Sequence, residues 1–153
     1  MEVRQATPQD AESMGRVLRE IIAVTGRERP SDPEFVLRNY VRNPSGIRCS
    51  VAVDEGVAVL GFQSLIRAEA GNRYGVPEGW GIIGTHISPR AHRKGVGTAL
   101  FASSRAAAAQ AGLRKIDAYI GAANDAALRY YEAIGFRTYR ETGDTIQKVF
   151  ELI

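Results

Sequence analysis

The sequence predicts one α/β (α+β) domain built on a mixed sheet, antiparallel in its first half. Three observations carry that prediction. Apolar runs of strand length are separated by Gly- and Pro-bearing breaks. Helical stretches have legible starts and stops. Two apolar runs are joined by a tight turn before strands and helices begin to alternate. At 153 residues the chain fits one domain, large enough to bury about 70 % of its unfolded surface without help from a metal or a disulfide.

Val3 to Ala6 is a short first strand. In Thr7-Pro8-Gln9-Asp10, Thr7 can cap, Pro8 suits the first helical position and Asp10 is the capping-box acid. Ala11, Met14, Leu18, Ile21 and Ile22 recur at helical spacing until Gly26 stops the helix. Ser31-Asp32-Pro33 opens a second helix carrying Phe35, Val36, Leu37 and Tyr40. Ile47 to Val53 and Val57 to Leu65 form a hairpin through Asp54-Glu55-Gly56. Glu69 to Gly79 is a loop, and Trp80 to Ile87 a third long strand. Ser88 to Lys94 is polar and basic. Val96 to Ala111 is helical and ends at Gly112. Lys115 to Ile120 is a strand, Asn124 to Ile134 a short helix stopped by Gly135, and Phe136 to Arg140 with Ile146 to Leu152 a closing pair of strands.

Composition narrows the function. Apolar residues at 44 % and charged ones at 24 % suit a globular protein. A net charge of +3 without a long Lys/Arg run gives no reason to expect nucleic-acid binding, yet favours an anionic ligand. The one cysteine, Cys49, lies in an apolar run and reads as a core thiol. No run of 18 apolar residues is present and the opening residues lack an apolar stretch, so the expectation is a cytoplasmic protein with no membrane partner.

The most informative segment runs from Ile82 to Leu100: a strand, then a basic glycine-bearing turn, then a helix at once. The first turn of a helix leaves about four N–H groups unbonded, and the dipole adds positive charge there. Gly95 and Gly97 remove side chains that would keep a phosphate from the backbone, and His92, Arg93 and Lys94 surround the turn with charge. A P-loop is excluded because Thr98-Ala99 follow the second glycine in place of Lys-Ser/Thr. The dinucleotide fingerprint fails because Leu100 stands where its third glycine belongs.

His92-Arg93-Lys94-Gly95-Val96-Gly97, with Pro89 ahead of it, resembles the Arg/Gln-x-x-Gly-x-Gly/Ala signature of the GNAT superfamily of N-acetyltransferases, with His92 departing from the usual first residue. A second block agrees: Asn124, Ala127, Tyr131, Gly135 and Phe136 match Asn-x-x-Ala-x-x-x-Tyr-x-x-x-Gly-Phe. The resemblance is clear from Ile82 to Phe136 and extends to Val51–Leu65. It implies a mixed sheet of about seven strands with about four helices, and a splayed pair, Ile82–Ile87 beside Lys115–Ile120, holding acetyl-CoA as cosubstrate.

By matching positions, Ile87 and Ser88 would bond the pantetheine and thioester end. The amides of His92, Arg93, Lys94, Gly95, Val96, Gly97 and Thr98 would hold the pyrophosphate, and Asn124 would contact the pantetheine arm. Tyr131 would be the acid that protonates the departing thiolate. A backbone N–H near Ile87 would serve the oxyanion. No metal is implied. Tyr130 points about 100° away around the helix and is the lesser candidate. His86, Glu78 or water would take the amine's proton. Trp80, Tyr74 and Tyr119 are candidate walls of an acceptor pocket, with Gly26–Pro30 and the Glu69–Gly79 loop where this fold meets its acceptor. The acceptor is a small-molecule amine; alternatives are an N-terminal or lysine amine of a protein, or a non-catalytic acyl-CoA-binding module. A homodimer through the last strands is expected, since Ile146–Ile153 is apolar.

Overall fold

The computed structural model describes residues 1–55 and 58–153. The expected hairpin turn and strand start at Gly56 and Val57 lie outside the described residues. Strands β1 (Glu2–Gln5), β2 (Gly46–Val53), β3 (Val59–Arg67), β4 (Gly81–Ile87), β5 (Lys115–Gly121), β6 (Arg137–Thr142) and β7 (Thr145–Glu151) form one sheet in the order β1-β2-β3-β4-β5-β7-β6. The sheet is mixed, with seven strands, as the sequence leads one to expect. All neighbours pair antiparallel except β4 with β5. Four helices flank it: α1 (Ala11–Thr25), α2 (Pro33–Val36), α3 (Val96–Gln110) and α4 (Asp125–Ala133).

The local rules hold at the ends. The Asp10 carboxylate accepts from Thr7 N–H (2.8 Å) and takes a bidentate pair from Arg4 (2.8 and 2.9 Å), which ties β1 to the start of α1. That charge-assisted clasp holds the buried carboxyl below its ordinary pKa. Gly26 closes α1 in the left-handed conformation, φ +72°. Asp32 caps α2 by accepting from Phe35 N–H (3.1 Å).

Helix α2 is shorter than expected. It passes into a wide π turn over Leu37–Val41, closed by Arg42 N–H on Leu37 O. Asn39 and Asn43 explain the change: each side-chain amide donates to the carbonyl four residues earlier (2.9 and 3.0 Å), competing with the backbone ladder. Strand β4 also starts one residue late. Trp80 belongs to the preceding turn, its N–H on Pro77 O and its ring against Tyr139.

Two apolar layers cover the sheet. On one face α1 and α2 pack Met14, Leu18 and Val36 against Val51 and Phe62. On the other, Phe101, Phe136 and Phe150 form a ring cluster with centroids 5.1–5.5 Å apart, beside Leu65 and Ile116. Cys49 is buried in the first layer, and burial pushes its thiol up to about 12, so it is an inert core residue as expected. No helix among the described residues is long and apolar enough to cross a membrane. Strand β7 is hydrogen-bonded on both sides, by β5 and β6. The edge strand at this end of the sheet is therefore β6.

Candidate active site

The site begins where the sheet opens. β4 and β5 pair only through Gly81–Ile116, Ile82–Asp117 and Ile83–Ala118, yet β4 continues to Ile87 and β5 to Gly121. On its other side β4 stays paired with β3 to the end, Gly61 opposite Ile87, without a bulge. Ser88 N–H donates to Leu60 O on that β3 side (2.8 Å). Backbone groups alternate along a strand, so those of Thr85 and Ile87 turn the other way, into the gap. Ile87 thus has the backbone orientation that the sequence comparison asked of it. Ser88 does not. Its side chain is fully buried, its carbonyl accepts from Ala91 N–H (2.9 Å), and its Oγ accepts from Arg90 N–H (3.2 Å). It shapes the turn after β4 and has no backbone group left for the gap.

Beyond Ser88 the chain curls into α3. Arg93 (φ +64°) and Gly95 (φ +73°) both adopt the left-handed conformation, unusual for a residue with a side chain. Among the described residues, no backbone amide from Arg93 to Thr98 has a hydrogen-bond partner. The first bond of the helix is Ala99 N–H to Gly95 O, 3.1 Å. A Cβ on Gly95 would meet nothing within 4 Å. His92, Arg93, Lys94, Gly95 and Thr98 are exposed. A rank of free amides at the start of a 15-residue helix, flanked by cations, is a fitting cradle for a diphosphate.

One expectation needs correction here. Val96 and Gly97 are buried, and a Cβ on Gly97 would lie 2.5 Å from Tyr130 Cε1. The second glycine therefore makes room for a tyrosine ring rather than for a phosphate. Arg90, just ahead of the turn, is paired with α1: its Nε donates to Glu20 Oε2 at 2.6 Å, holding that carboxyl below its usual range.

Helix α4 brings in the phenols. Asn124 caps it, its Oδ1 accepting from Ala127 N–H (3.2 Å). Tyr131 is 5 % exposed, wedged edge-on against Phe136, and its hydroxyl lies 2.8 Å from Thr85 Oγ1 of β4. Burial drives its pKa far above that of an ordinary phenol. Behind it lies a hub that sequence reasoning missed. Gln63 of β3 is fully buried. It accepts from Ser104 Oγ (2.6 Å) and donates to Thr85 Oγ1 (2.9 Å) and the Tyr130 hydroxyl (3.1 Å), which itself donates to Gly97 O (2.8 Å). Tyr130 gives its own hydrogen to Gly97 O and so accepts from Gln63, which fixes the amide nitrogen on the side of Tyr130 and Thr85. Thr85 Oγ1 therefore receives a hydrogen from Gln63, and between Thr85 and Tyr131 either hydroxyl can be the donor. When Thr85 is the donor, the Tyr131 hydrogen is free for another acceptor. Tyr130, the lesser candidate by helix geometry, joins α4 to the first turn of α3; burial pushes it up to about 12.

The opposite face of β4 opens on a cleft of about 340 Å³ whose lining includes Arg29, Tyr40, Arg73, Tyr74, His86 and Tyr119. Tyr74 and Tyr119 meet edge to face, centroids 5.0 Å apart. His86 faces this cleft, stacked between Tyr40 and Phe62. Desolvation, helped by the Arg29 charge, pushes it down to about 3, so it is neutral at working pH and a poor base for an ammonium ion. Two expected neighbours are elsewhere. Glu78 and Trp80 line a separate, more open concavity of about 510 Å³ with Arg114 and Lys115, at the closed end of the β4–β5 pair. They sit there because the Trp80 turn precedes β4, whereas Thr85 and Ile87 lie at its far end. No metal-binding cluster of His, Cys, Asp and Glu occurs among the described residues.

The acetyltransferase (GNAT) family model matches residues 15–136, most of the chain. No curated protein is a significant match. Among solved structures, a GCN5-related N-acetyltransferase from Kribbella flavida superposes with a TM-score of 0.79 at 21 % identity, covering 99 % of this chain and 97 % of its own. A GNAT superfamily phosphinothricin acetyltransferase from Sinorhizobium meliloti, in complex with acetyl-CoA, gives 0.78 at 23 % identity, covering 99 % and 88 %. YncA of Salmonella typhimurium, with its cofactor acetyl-CoA, gives 0.76 at 20 % identity, covering 99 % and 94 %. At these identities the likeness is one of fold. With the family model spanning the splayed strands, the glycine turn and the α4 block alike, the chain belongs to the GNAT family of acetyltransferases.

Proposed function

We propose that this protein transfers the acetyl group of acetyl-CoA directly to the primary amine of a small molecule. The observation that carries the proposal is the placement of the Tyr131 hydroxyl on Thr85, a residue whose backbone faces the opening between β4 and β5. Acetyl-CoA supplies an activated thioester carbonyl, and the remaining requirements fall to the chain. The amides of Arg93 to Thr98, with the His92, Arg93 and Lys94 side chains around them, hold the diphosphate. Ile87 offers backbone groups to the pantetheine end and an N–H to the carbonyl oxygen. Asn124, whose Oδ1 caps α4, keeps its amide hydrogens for the pantetheine arm.

In the overall reaction a C–N bond forms and the C–S bond breaks. The amine loses one proton and the leaving sulfur gains one. Tyr131 is the group placed to give the sulfur its proton. Its raised pKa keeps it protonated at working pH, which makes it a donor and never a base. The same shift makes full ionisation costly. Thr85 offsets part of that cost by donating to the phenol oxygen as charge develops there. With His86 held neutral and Glu78 outside the cleft, the amine loses its proton to water.

Acetyl-CoA at about 100 times its Kd should stabilise the fold by about 2.7 kcal/mol. Thermal melts with and without it are the first test, and no shift at millimolar concentration would end the assignment. Release of free thiol in the presence of amines then tests transfer. A cytoplasmic setting and a homodimer complete the proposal, the latter checked by solution mass.

A further inference from the structure

We propose that the acceptor carries an anionic oxyacid group beside its amine, and that Arg29 and Arg73 bind that group. The inference rests on the proposed acetyl transfer and names the class of acceptor. Both arginines line the 340 Å³ cleft, and no carboxylate lines it with them. Neither guanidinium has an acidic partner among the described residues.

Both are held in place by phenols instead. Arg29 Nη2 donates to the Tyr40 hydroxyl at 2.6 Å, with Nη1 at 3.5 Å from His86 Nδ1. Arg73 Nη2 donates to the Tyr74 hydroxyl at 2.9 Å, the guanidinium lying near that ring. Phenols orient a guanidinium without neutralising it, so both forks keep their charge and most of their donors.

The loop bearing Arg73 is itself fixed. Asn72 Oδ1 accepts from Tyr74 and Val76 N–H, and its amide donates to Glu69 and Val76 carbonyls. Arg140 and Gln147 hold Tyr74 O from the sheet. Arg29 and Arg73 come from segments 44 residues apart and converge on one small cleft. Two fixed positive charges and a neutral His86 attract a carboxylate, phosphonate or phosphinate and repel a second ammonium. The occupant is therefore an amino acid or an amino acid-like oxyacid, and not a polyamine.

The test pairs each amino acid with its own amide, adds an aminophosphonate and a polyamine, and reads thiol release at saturating acetyl-CoA. The acids, carboxylate or phosphonate, should exceed the amides in kcat/KM by about tenfold or more, as expected for loss of a charge-assisted contact. Arg29→Gln and Arg73→Gln should each narrow that ratio, mainly through KM, and Arg73→Lys should restore part of it. Equal rates on acids and amides, or a preference for the polyamine, overturn the inference while leaving acetyl transfer intact. Loss of the acetyl-CoA-induced thermal shift in the unaltered protein points instead to failure of the functional assignment. Should no amine turn over, calorimetric titration of the same acids and amides into the protein with coenzyme A decides: tighter binding of the acids supports the inference, and indifference overturns it.

Discussion

The two faces of β4 differ in kind. Thr85, on the face toward α3 and α4, sits in a network of neutral hydrogen bonds that joins Gln63, Ser104, Tyr130 and Tyr131. Gly84 and His86, on the opposite face, border an open cleft walled by rings and two cations. One strand thus separates the buried Tyr131 hydroxyl from an accessible cleft. The comparison shows how the proposed function would divide its labour: the face with Tyr131 would set the chemistry, and the open face would select the acceptor.

The largest effect that should separate the two faces is on turnover. Tyr131→Phe removes only the hydroxyl and should lower kcat by about 10²–10⁴-fold while leaving acetyl-CoA stabilisation intact. An unchanged rate would remove Tyr131 from the mechanism. Next is the hub. Gln63→Leu leaves the buried Ser104 hydroxyl without its acceptor and takes a donor from Thr85 and Tyr130, and should cost about 2–4 kcal/mol in chemical denaturation; a loss below about 0.5 kcal/mol would show that the network is not cooperative.

Gly97→Ala places a methyl group 2.5 Å from Tyr130 Cε1. It should cost about 1–3 kcal/mol, whereas Gly95→Ala, with open space around it, should be penalised only through its φ of +73°. Equal losses at the two positions would contradict the assignment of Gly97 to Tyr130.

The smallest effect concerns Asp117 of β5. It is fully buried, its Oδ1 accepts from Tyr139 (2.6 Å) and Gln147 (3.0 Å), and its Oδ2 has no partner. Desolvation pushes it up to about 6 from 3.8. The folded state therefore keeps this proton when the unfolded chain has lost it, and stability falls as pH rises from about 4 to about 6, then stays lower. Asp117→Asn removes that loss. Its gain over the unaltered protein should be near zero or negative at pH 4 and grow to about 1–2 kcal/mol above pH 7, below the full linkage value of about 3 because the new amide hydrogens are buried unpaired. Melts across that range check it, and a constant difference would refute the shift.

The sealed face was the more legible in sequence, because its parts are local. The turn through Gly95 and the Asn124–Phe136 block each lie within a short stretch, and the family pattern names Tyr131 outright. The element order and the sheet it builds were legible for the same reason. What escaped depends on distant contacts. Gln63 meets Tyr130 across 67 positions, and nothing near Gly97 says that a ring from α4 will occupy its missing side chain. Ser88 carries no local sign that Leu60 and Ala91 will use its backbone. On the open face, the segments Gly26–Pro30 and Glu69–Gly79 were marked as acceptor-facing, but Arg29 and Arg73 only gain meaning once the fold withholds every carboxylate from them. Glu78 was misplaced because one turn, at Trp80, carries it to the other end of β4.

Tyr130 ties α4 to the carbonyl of Gly97, and Tyr131 is its immediate neighbour in the chain. Any displacement of the opening turn of α3 is therefore delivered to Tyr131 through a single peptide unit. Engineering a longer acyl pocket by nudging that turn would drag the phenol along with it. Widening the opening from the β5 side instead would leave donor and cradle in register.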